Sequence, residues 1–315
     1  MAVRDLLALR SRVRRTLREL FDARGFVEVD TPVLAAEVLP EAHIDPLAVP
    51  LAGRSVRWLQ ASPENLMKRL LAAGSGPIYQ FAHAFRDGER GPQHDVEFML
   101  LEWYAPGTTL ADAAEQMAEA CAAVLGTAGI ERVTCSEAFR THAGVDPVTA
   151  STAELLAAAV RTGCRLPEGL EDAVEADRRD RVFEQLLADV VQPRLGHGRP
   201  TMLEAWPASQ AALARLDPAD RSTARRFELF VAGVELANGW EEDPCRGALA
   251  ERIAAANGIR RASGRRELPV PVRLLDAHGP RMPEGVGAAL GFDRLVMLAA
   301  GTTTIDHVRC FPDGG

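Results

Sequence analysis

The sequence lacks the residues that mark the commoner metal and nucleotide sites. Its five cysteines, at 121, 135, 164, 245 and 310, form no CxxC pair. Their odd number argues against a disulfide framework in a chain of 315 residues. They keep no ligand spacing with the seven histidines, so no zinc-type site is expected. Reduced cysteines in a cytoplasmic protein are the plainer reading. There is no GxxxxGK[ST], and no strand pattern is followed by GxGxxG, which disfavours a phosphate loop or a Rossmann site. No run approaches the roughly 20 apolar residues of a membrane helix. The opening MAVRDLLALRSRVRRTL lacks the apolar core and cleavage site of a signal peptide. A net charge of −8 requires no broad basic surface, against extensive non-specific nucleic-acid binding.

Two tyrosines stand against abundant alanine and arginine, a bias that fits genome base composition. The 47% hydrophobic content suffices for a core. Arg4 to Ala23 reads as an amphipathic helix with Leu6, Leu9, Val13, Leu17, Leu20 and Phe21 on one side and arginines on the other. FVEVDTPVL reads as a short strand broken at Pro32. Ser62-Pro63-Glu64 opens a helix that Gly74 ends. Strands are expected over 78–85 and 96–104, flanking a polar loop. Alanine-rich helices follow from Thr109 to about Arg194. Strand patterns return over 201–207 and in two runs joined by Ala232-Gly233. Glu241 to Arg266 reads as a turn and a solvated helix, and FDRLVMLAAG as a helix whose N-terminal end suits an anion. This order predicts an α+β fold around an antiparallel sheet.

Two segments carry the chemistry. FRDGERGPQHDVEFMLLEWY supplies Arg86, and GVGAALGFDRL supplies Arg294. Both are permanently charged forks suited to phosphate oxygens. Phe98 and the Arg294 guanidinium could sandwich a flat base, or Phe98 could be a core aromatic. Glu102 and Tyr104, at i and i+2, face the same side of a strand, an acid and a phenol suited to a cationic side chain.

GFVEVDTPVL, FRDGERGPQHDVEF and GVGAALGFDR resemble, in order, the three signature motifs of class II aminoacyl-tRNA synthetases. SPENLMKRLL, LLEWY and VELANGWEE match the lysyl branch, and the resemblance runs from about Arg4 to Ala300. It implies the class II catalytic fold, with an antiparallel sheet flanked by helices and no anticodon-binding barrel. One catalytic domain over 1–315 is expected, with a helical insertion at about 109–194. The resemblance further implies a homodimer, ATP and Mg2+. The wording of PASQAALARL, SPE and LLEWY is similar to a truncated lysyl paralogue that attaches a lysine-type amino acid to a lysine side chain of elongation factor P. That implies elongation factor P as partner, lysine or (R)-β-lysine as substrate, and neither tRNA nor membrane.

By the same resemblance, Arg86 holds the α-phosphate, while Arg294 grips the γ-phosphate and covers adenine stacked on Phe98. Gly88, Glu89, His94, Asp95, Leu236 and Gly291 complete the ATP contacts. Glu235 is a metal or ATP ligand. Glu242 serves metal or the substrate amine, with Glu241 beside it leaving the choice open. Ser62, Glu64, Glu102, Tyr104 and Ala289 line the amino-acid pocket. Ser62 stands where lysyl synthetases usually carry alanine, and Ala289 where their third motif has glycine. Two positions depart from the second motif. Gly88 replaces the usual glutamate, with Glu89 one step later, and Asp95-Val96 replaces asparagine-proline, bringing negative charge near the expected phosphates. The competing readings are a ligase for tRNA or another amine, and a non-catalytic amino-acid sensor.

Overall fold

The first helix shows how this chain uses arginine. In the computed structural model, which describes residues 2–53 and 55–312, α1 (Val3–Ala23) buries Leu6, Val13, Leu17 and Phe21 along one stripe. The arginines expected on the opposite, solvated face are divided. Arg10, Arg14 and Arg18, one turn apart, cover aromatic rings instead. Arg10 lies 5.1 Å over Phe292, and Arg14 and Arg18 lie 5.2 and 5.3 Å over Phe81. A weakly hydrated guanidinium on an aliphatic stem can cover an apolar wall and still reach water.

The chain continues through β1 (Val27–Glu28), β2 (Leu34–Ala35), β3 (Ala48–Val49) and β4 (Arg57–Leu59) to α2 (Glu64–Ala72). The hairpin strands β5 (Ile78–Phe85) and β6 (Glu97–Pro106) follow, then α3 (Leu110–Leu125), β7 (Glu131–Thr134), α4 (Cys135–His142), α5 (Thr152–Thr162) and α6 (Glu175–Leu186). Next come β8 (Thr201–Pro207), β9 (Thr223–Val231) and β10 (Val234–Glu241). The chain closes with α7 (Arg246–Ala262), α8 (Val272–Ala277), β11 (Gly285–Gly291) and α9 (Phe292–Ala299).

Two compact units result. The first comprises Met1–Thr108, Ala123–Leu125 and Glu242–Gly315; the second Thr109–Ala122 and Gly126–Glu241. In the first, strands lie in the order β1-β5-β6-β11. The β5–β6 and β6–β11 pairs are antiparallel, but β1 runs parallel to β5. The strand read across FVEVDTPVL shrinks to Val27–Glu28; Val29 still donates to the Tyr79 carbonyl at 2.8 Å, and Leu34 joins β2, which pairs with β4 in a second sheet. One face of this sheet packs under α1, with Phe21 4.9 Å from Tyr79 and 5.2 Å from Trp103. Strand alternation sends Phe98, Leu100, Glu102 and Tyr104 to the other face. There Gly291, Ala289 and Gly287 lie opposite Leu100, Glu102 and Tyr104, and Ala84, Ala82, Gln80 and Ile78 flank the same row.

The second unit carries the order β10-β9-β8-β7. Its helices pack around Phe139 and Phe183, stacked at 4.9 Å, and Trp206. The hairpin β9–β10 turns at Ala232 (φ 50°) and Gly233 (φ 75°), the paired left-handed residues that suit right-handed strand twist.

The helix expected to be solvated, α7, is exposed along one face only. It buries Leu249, Ile253, Asn257 and Arg260. The polar pair is satisfied inside. Asn257 exchanges hydrogen bonds with the Leu268 backbone, while Arg260 donates to the carbonyls of Glu41, Ile44 and Arg266 and to Asp45. Burial becomes tolerable once every donor is met. Among the described residues no helix is long and apolar enough to cross a membrane.

Candidate active site

The polar face of the first unit gathers two groups of side chains. The first is acidic. Glu64, in the first turn of α2, and Glu242 reach the same ammonium: Lys68 Nζ lies 2.6 Å from Glu64 Oε1 and 2.7 Å from Glu242 Oε2. Glu102 accepts from Ser62 Oγ at 2.6 Å and from the Tyr104 hydroxyl at 2.7 Å. Ser62 Oγ also accepts from the Glu64 backbone N–H at 3.1 Å, so one hydroxyl serves both the helix start and the cluster. Glu64, Lys68, Glu102, Tyr104 and Glu242 are all buried.

Burial shapes the charge of this cluster. It pushes the Glu102 carboxyl up, with the neighbouring Glu64 charge adding to it. The hydrogen bonds from Ser62 and Tyr104 and the charge of Lys68 pull the other way, and the result is about 8. Burial and Glu102 together hold the Tyr104 hydroxyl well above its ordinary value. Burial also opposes the Lys68 ammonium, but Glu242 and then Glu64 outweigh it and keep Lys68 charged. At neutral pH the cluster therefore favours one more cation. An entering ammonium would draw the proton off Glu102.

The second group lies around the loop between β5 and β6. Arg86 sits with its guanidinium carbon 4.9 Å over the Phe98 ring. Its Nε donates to the Ala61 carbonyl at 3.4 Å, and Glu89 lies 3.6 Å from Nη1. Gly88 adopts φ 76°, a turn that a residue with a Cβ resists. That turn brings Glu89, one residue later than the motif anticipates, alongside Arg86. At the other end of the loop, Arg294 donates from Nε to the Gln93 carbonyl at 3.2 Å and from Nη2 to His94 Nε2 at 2.7 Å. Both arginines thus flank one loop, within one unit. The guanidinium over Phe98 is that of Arg86, where Arg294 was expected. Asp95, expected to bring negative charge near the phosphates, is paired with Arg309 and lies 3.6 Å from Arg90.

Along one sheet face the carboxyl of Glu102 and the phenol of Tyr104 lie toward one end, and the arginines lie beyond Phe98. A model of class II tRNA synthetases, the D, K and N group, matches residues 1–314. The chain belongs to this class II synthetase family. Among its curated relatives, the elongation factor P–(R)-β-lysine ligase of Vibrio cholerae is 38% identical over 312 residues, 97% of this chain and 94% of the relative. The ligases of that name from Erwinia tasmaniensis and Pasteurella multocida are each 36% identical, over 310 and 315 residues.

Within the class II frame, the structure brings together Ser62, Glu64, Glu102, Tyr104 and Glu242. Ala289 stands directly across β6 from Glu102. Gly287 has no room for a side chain: a Cβ there would meet Tyr104 Cε1 at 2.4 Å and Glu242 Oε1 at 2.6 Å. Glu241 and Glu242 have different partners. Glu241 takes Arg215 and Arg225 in the second unit, whereas Glu242 takes Lys68 in the first. Glu235 and its buried neighbour Leu236 lie on β10 of the second unit, where the ladder with β9 shifts register. Among the described residues no three His, Cys, Asp or Glu side chains are grouped to hold a metal. A family that uses Mg2+ with ATP asks little more of its protein than one or two carboxylates, since phosphates supply the other oxygens. Motif spacing gave no reason to single out Lys68. Its signal is compositional: it is the one lysine among 36 lysine and arginine residues.

Proposed function

We propose that this class II protein activates lysine or (R)-β-lysine with ATP and transfers it to a lysine side chain of elongation factor P. The observation that carries the reading is the buried cluster of Glu64, Glu102, Tyr104 and Glu242 on the sheet face that also presents Phe98 and Arg86. The names of the relatives supply the acceptor.

In the first step, an oxygen of the amino-acid carboxylate attacks the α-phosphorus of ATP. The bond to the bridging oxygen breaks, pyrophosphate leaves, and an acyl-adenylate remains. Arg86 meets the charge that develops on the α-phosphate, and Arg294 holds the terminal phosphates with His94, Gly88 and Gly291 around them. Adenine stacks on Phe98 once Arg86 turns from the ring to phosphate, with Glu89 at its edge. Glu235 is the residue that would hold Mg2+, and the ion would supply neutralisation of the phosphate charge. Glu242 has a resident cation in Lys68 and is assigned to the substrate amine. Ser62, Glu64, Glu102 and Tyr104 orient the amino acid, which makes the attack effectively intramolecular. In the second step a neutral lysine amine of the acceptor attacks the acyl carbonyl. AMP leaves, an amide forms, and the amine proton passes to solvent.

A homodimer is proposed on the exposed apolar side chains Val3, Leu7, Val27, Val33 and Leu34 near the first motif, and the setting is cytoplasmic. Incubation with labelled α- and β-lysine, ATP, elongation factor P and tRNA tests the whole. Label is expected on elongation factor P. Label on tRNA alone would replace this reading with a tRNA ligase, and absence of ATP–pyrophosphate exchange with any lysine isomer would replace it with a sensor.

A further inference from the structure

Lysine has all but vanished from this sequence. Of 36 lysine and arginine residues, every one but Lys68 is arginine. A chain that uses arginine for its helix faces, its ion pairs and its buried Arg260 keeps an ammonium in one place. That place is fully interior, with the Lys68 side chain about 1% exposed between Glu64 and Glu242. Arginine would not serve there. A guanidinium is a broad planar fork, whereas an ammonium is a compact point charge on a flexible stem. Lys68 Nζ touches both carboxylates at 2.6 and 2.7 Å and lies 6.0 Å from the centre of the Tyr104 ring. The Glu242 carboxylate is itself packed against Gly287, where a Cβ would come within 2.6 Å of Oε1. A larger head at position 68 would have to displace one of these walls.

On the lysine-activating reading above, we propose that Lys68 is a positioning and specificity-determining residue of the amine pocket. Its ammonium locks Glu64 and Glu242 in place and cancels one of the pocket's negative charges, so that the remainder matches a cationic amino acid. The alternatives are costly. Without the ammonium, two buried carboxylates face each other, and the pocket must take up protons or splay apart. With it, both carboxylates keep a fixed direction before substrate arrives. That preorganisation is what a binding site needs if affinity is not to be lost to rearrangement. Lys68 also pulls down the proton affinity of Glu102, so its charge reaches all three acids.

Because the chain has one lysine, the test can use unaltered protein. Protein grown on 15N-lysine carries a single ammonium signal from a side chain. Titration with L-lysine and (R)-β-lysine is expected to shift that signal, whereas alanine should leave it in place. Activity supplies the second arm. Lys68→Met and Lys68→Arg should each raise the KM for lysine at least tenfold while changing the KM for ATP less than twofold. In Lys68→Met the pH at which the KM for lysine levels off should move upward, a change that a purely structural filler would not produce. Ethylammonium added to Lys68→Ala should restore part of the lysine affinity. An ammonium signal indifferent to saturating lysine, in a wild-type protein that performs lysine-dependent exchange, would overturn the proposal even if the variants fail to fold. Wild-type protein without exchange would instead defeat the lysine-activating reading itself.

Discussion

Arg309, from the segment after α9, forms an ion pair with Asp95 at the end of the loop that carries Arg86. The same segment holds the loop again, where the Ile305 N–H donates to the Pro92 carbonyl at 2.8 Å. Asp95 in turn accepts from the Val96 N–H at 2.7 Å. A carboxylate that would repel phosphates is thereby spent on fastening the loop.

Arg309→Ala should loosen this fastening. A charged hydrogen bond lost at a largely buried carboxylate costs about 2 kcal/mol. The expected result is a Tm lower by a few degrees and a KM for ATP raised severalfold, with the KM for lysine nearly constant. Calorimetry and ATP–pyrophosphate exchange measure the two effects.

Lysine affinity should depend on pH through Glu102. Its carboxyl is raised from 4.5 to about 8 in the free protein, so the folded state holds a proton between those values that the unfolded state has lost. Stability from this group therefore falls as pH rises through that window. Substrate ammonium prefers the ionised form, so binding below pH 8 must expel the proton. The KM for lysine should fall by up to about tenfold per pH unit between 6 and 8 and then level off. Glu102→Gln should abolish the slope, and a wild-type profile without one would remove Glu102 from the amine pocket.

Gly287→Ala should disable amino-acid activation. Its methyl would overlap Tyr104 and Glu242, and overpacking of this kind costs about 1–3 kcal/mol. We expect the KM for lysine to rise at least tenfold in exchange assays, while binding of an ATP analogue is retained.

Ala289→Gly removes a methyl opposite Glu102 and should shift preference from (R)-β-lysine toward α-lysine. Competition between the two isomers in adenylate formation reads the ratio. An unchanged ratio would mean that this wall does not select between them.

Arg86→Ala should abolish exchange in a protein whose melting is unchanged, because the guanidinium covers Phe98 at a half-buried position and supports little of the core. Retention of the wild-type exchange rate would take Arg86 out of phosphate binding.

Glu102 and Tyr104 were legible as a pair because strand alternation alone places i and i+2 together. Other relationships depended on partners far away in sequence. Periodicity placed the arginines of α1 on the face opposite its leucines, but Phe81 and Phe292 lie on a strand and a helix that periodicity in α1 does not report. The same holds for α7, whose Arg260 is buried because carbonyls of Glu41 and Ile44, over 200 residues earlier, accept from it. The place of Lys68 was not legible, since one cationic residue on a helix ordinarily faces solvent.

By itself, the sequence determined the α+β class, the strands and helices that present Arg86, Phe98, Glu102, Tyr104 and Arg294, and the family in which such motifs occur together. These follow from local rules: alternation, turn chemistry, and motif order along the chain. Only the tertiary structure decided that Glu242 rather than Glu241 joins Glu64, that Asp95 is neutralised, and that an ammonium sits among the acids. Those outcomes are electrostatic, and the energy of a buried charge is set by whichever distant groups the fold brings within a few ångströms.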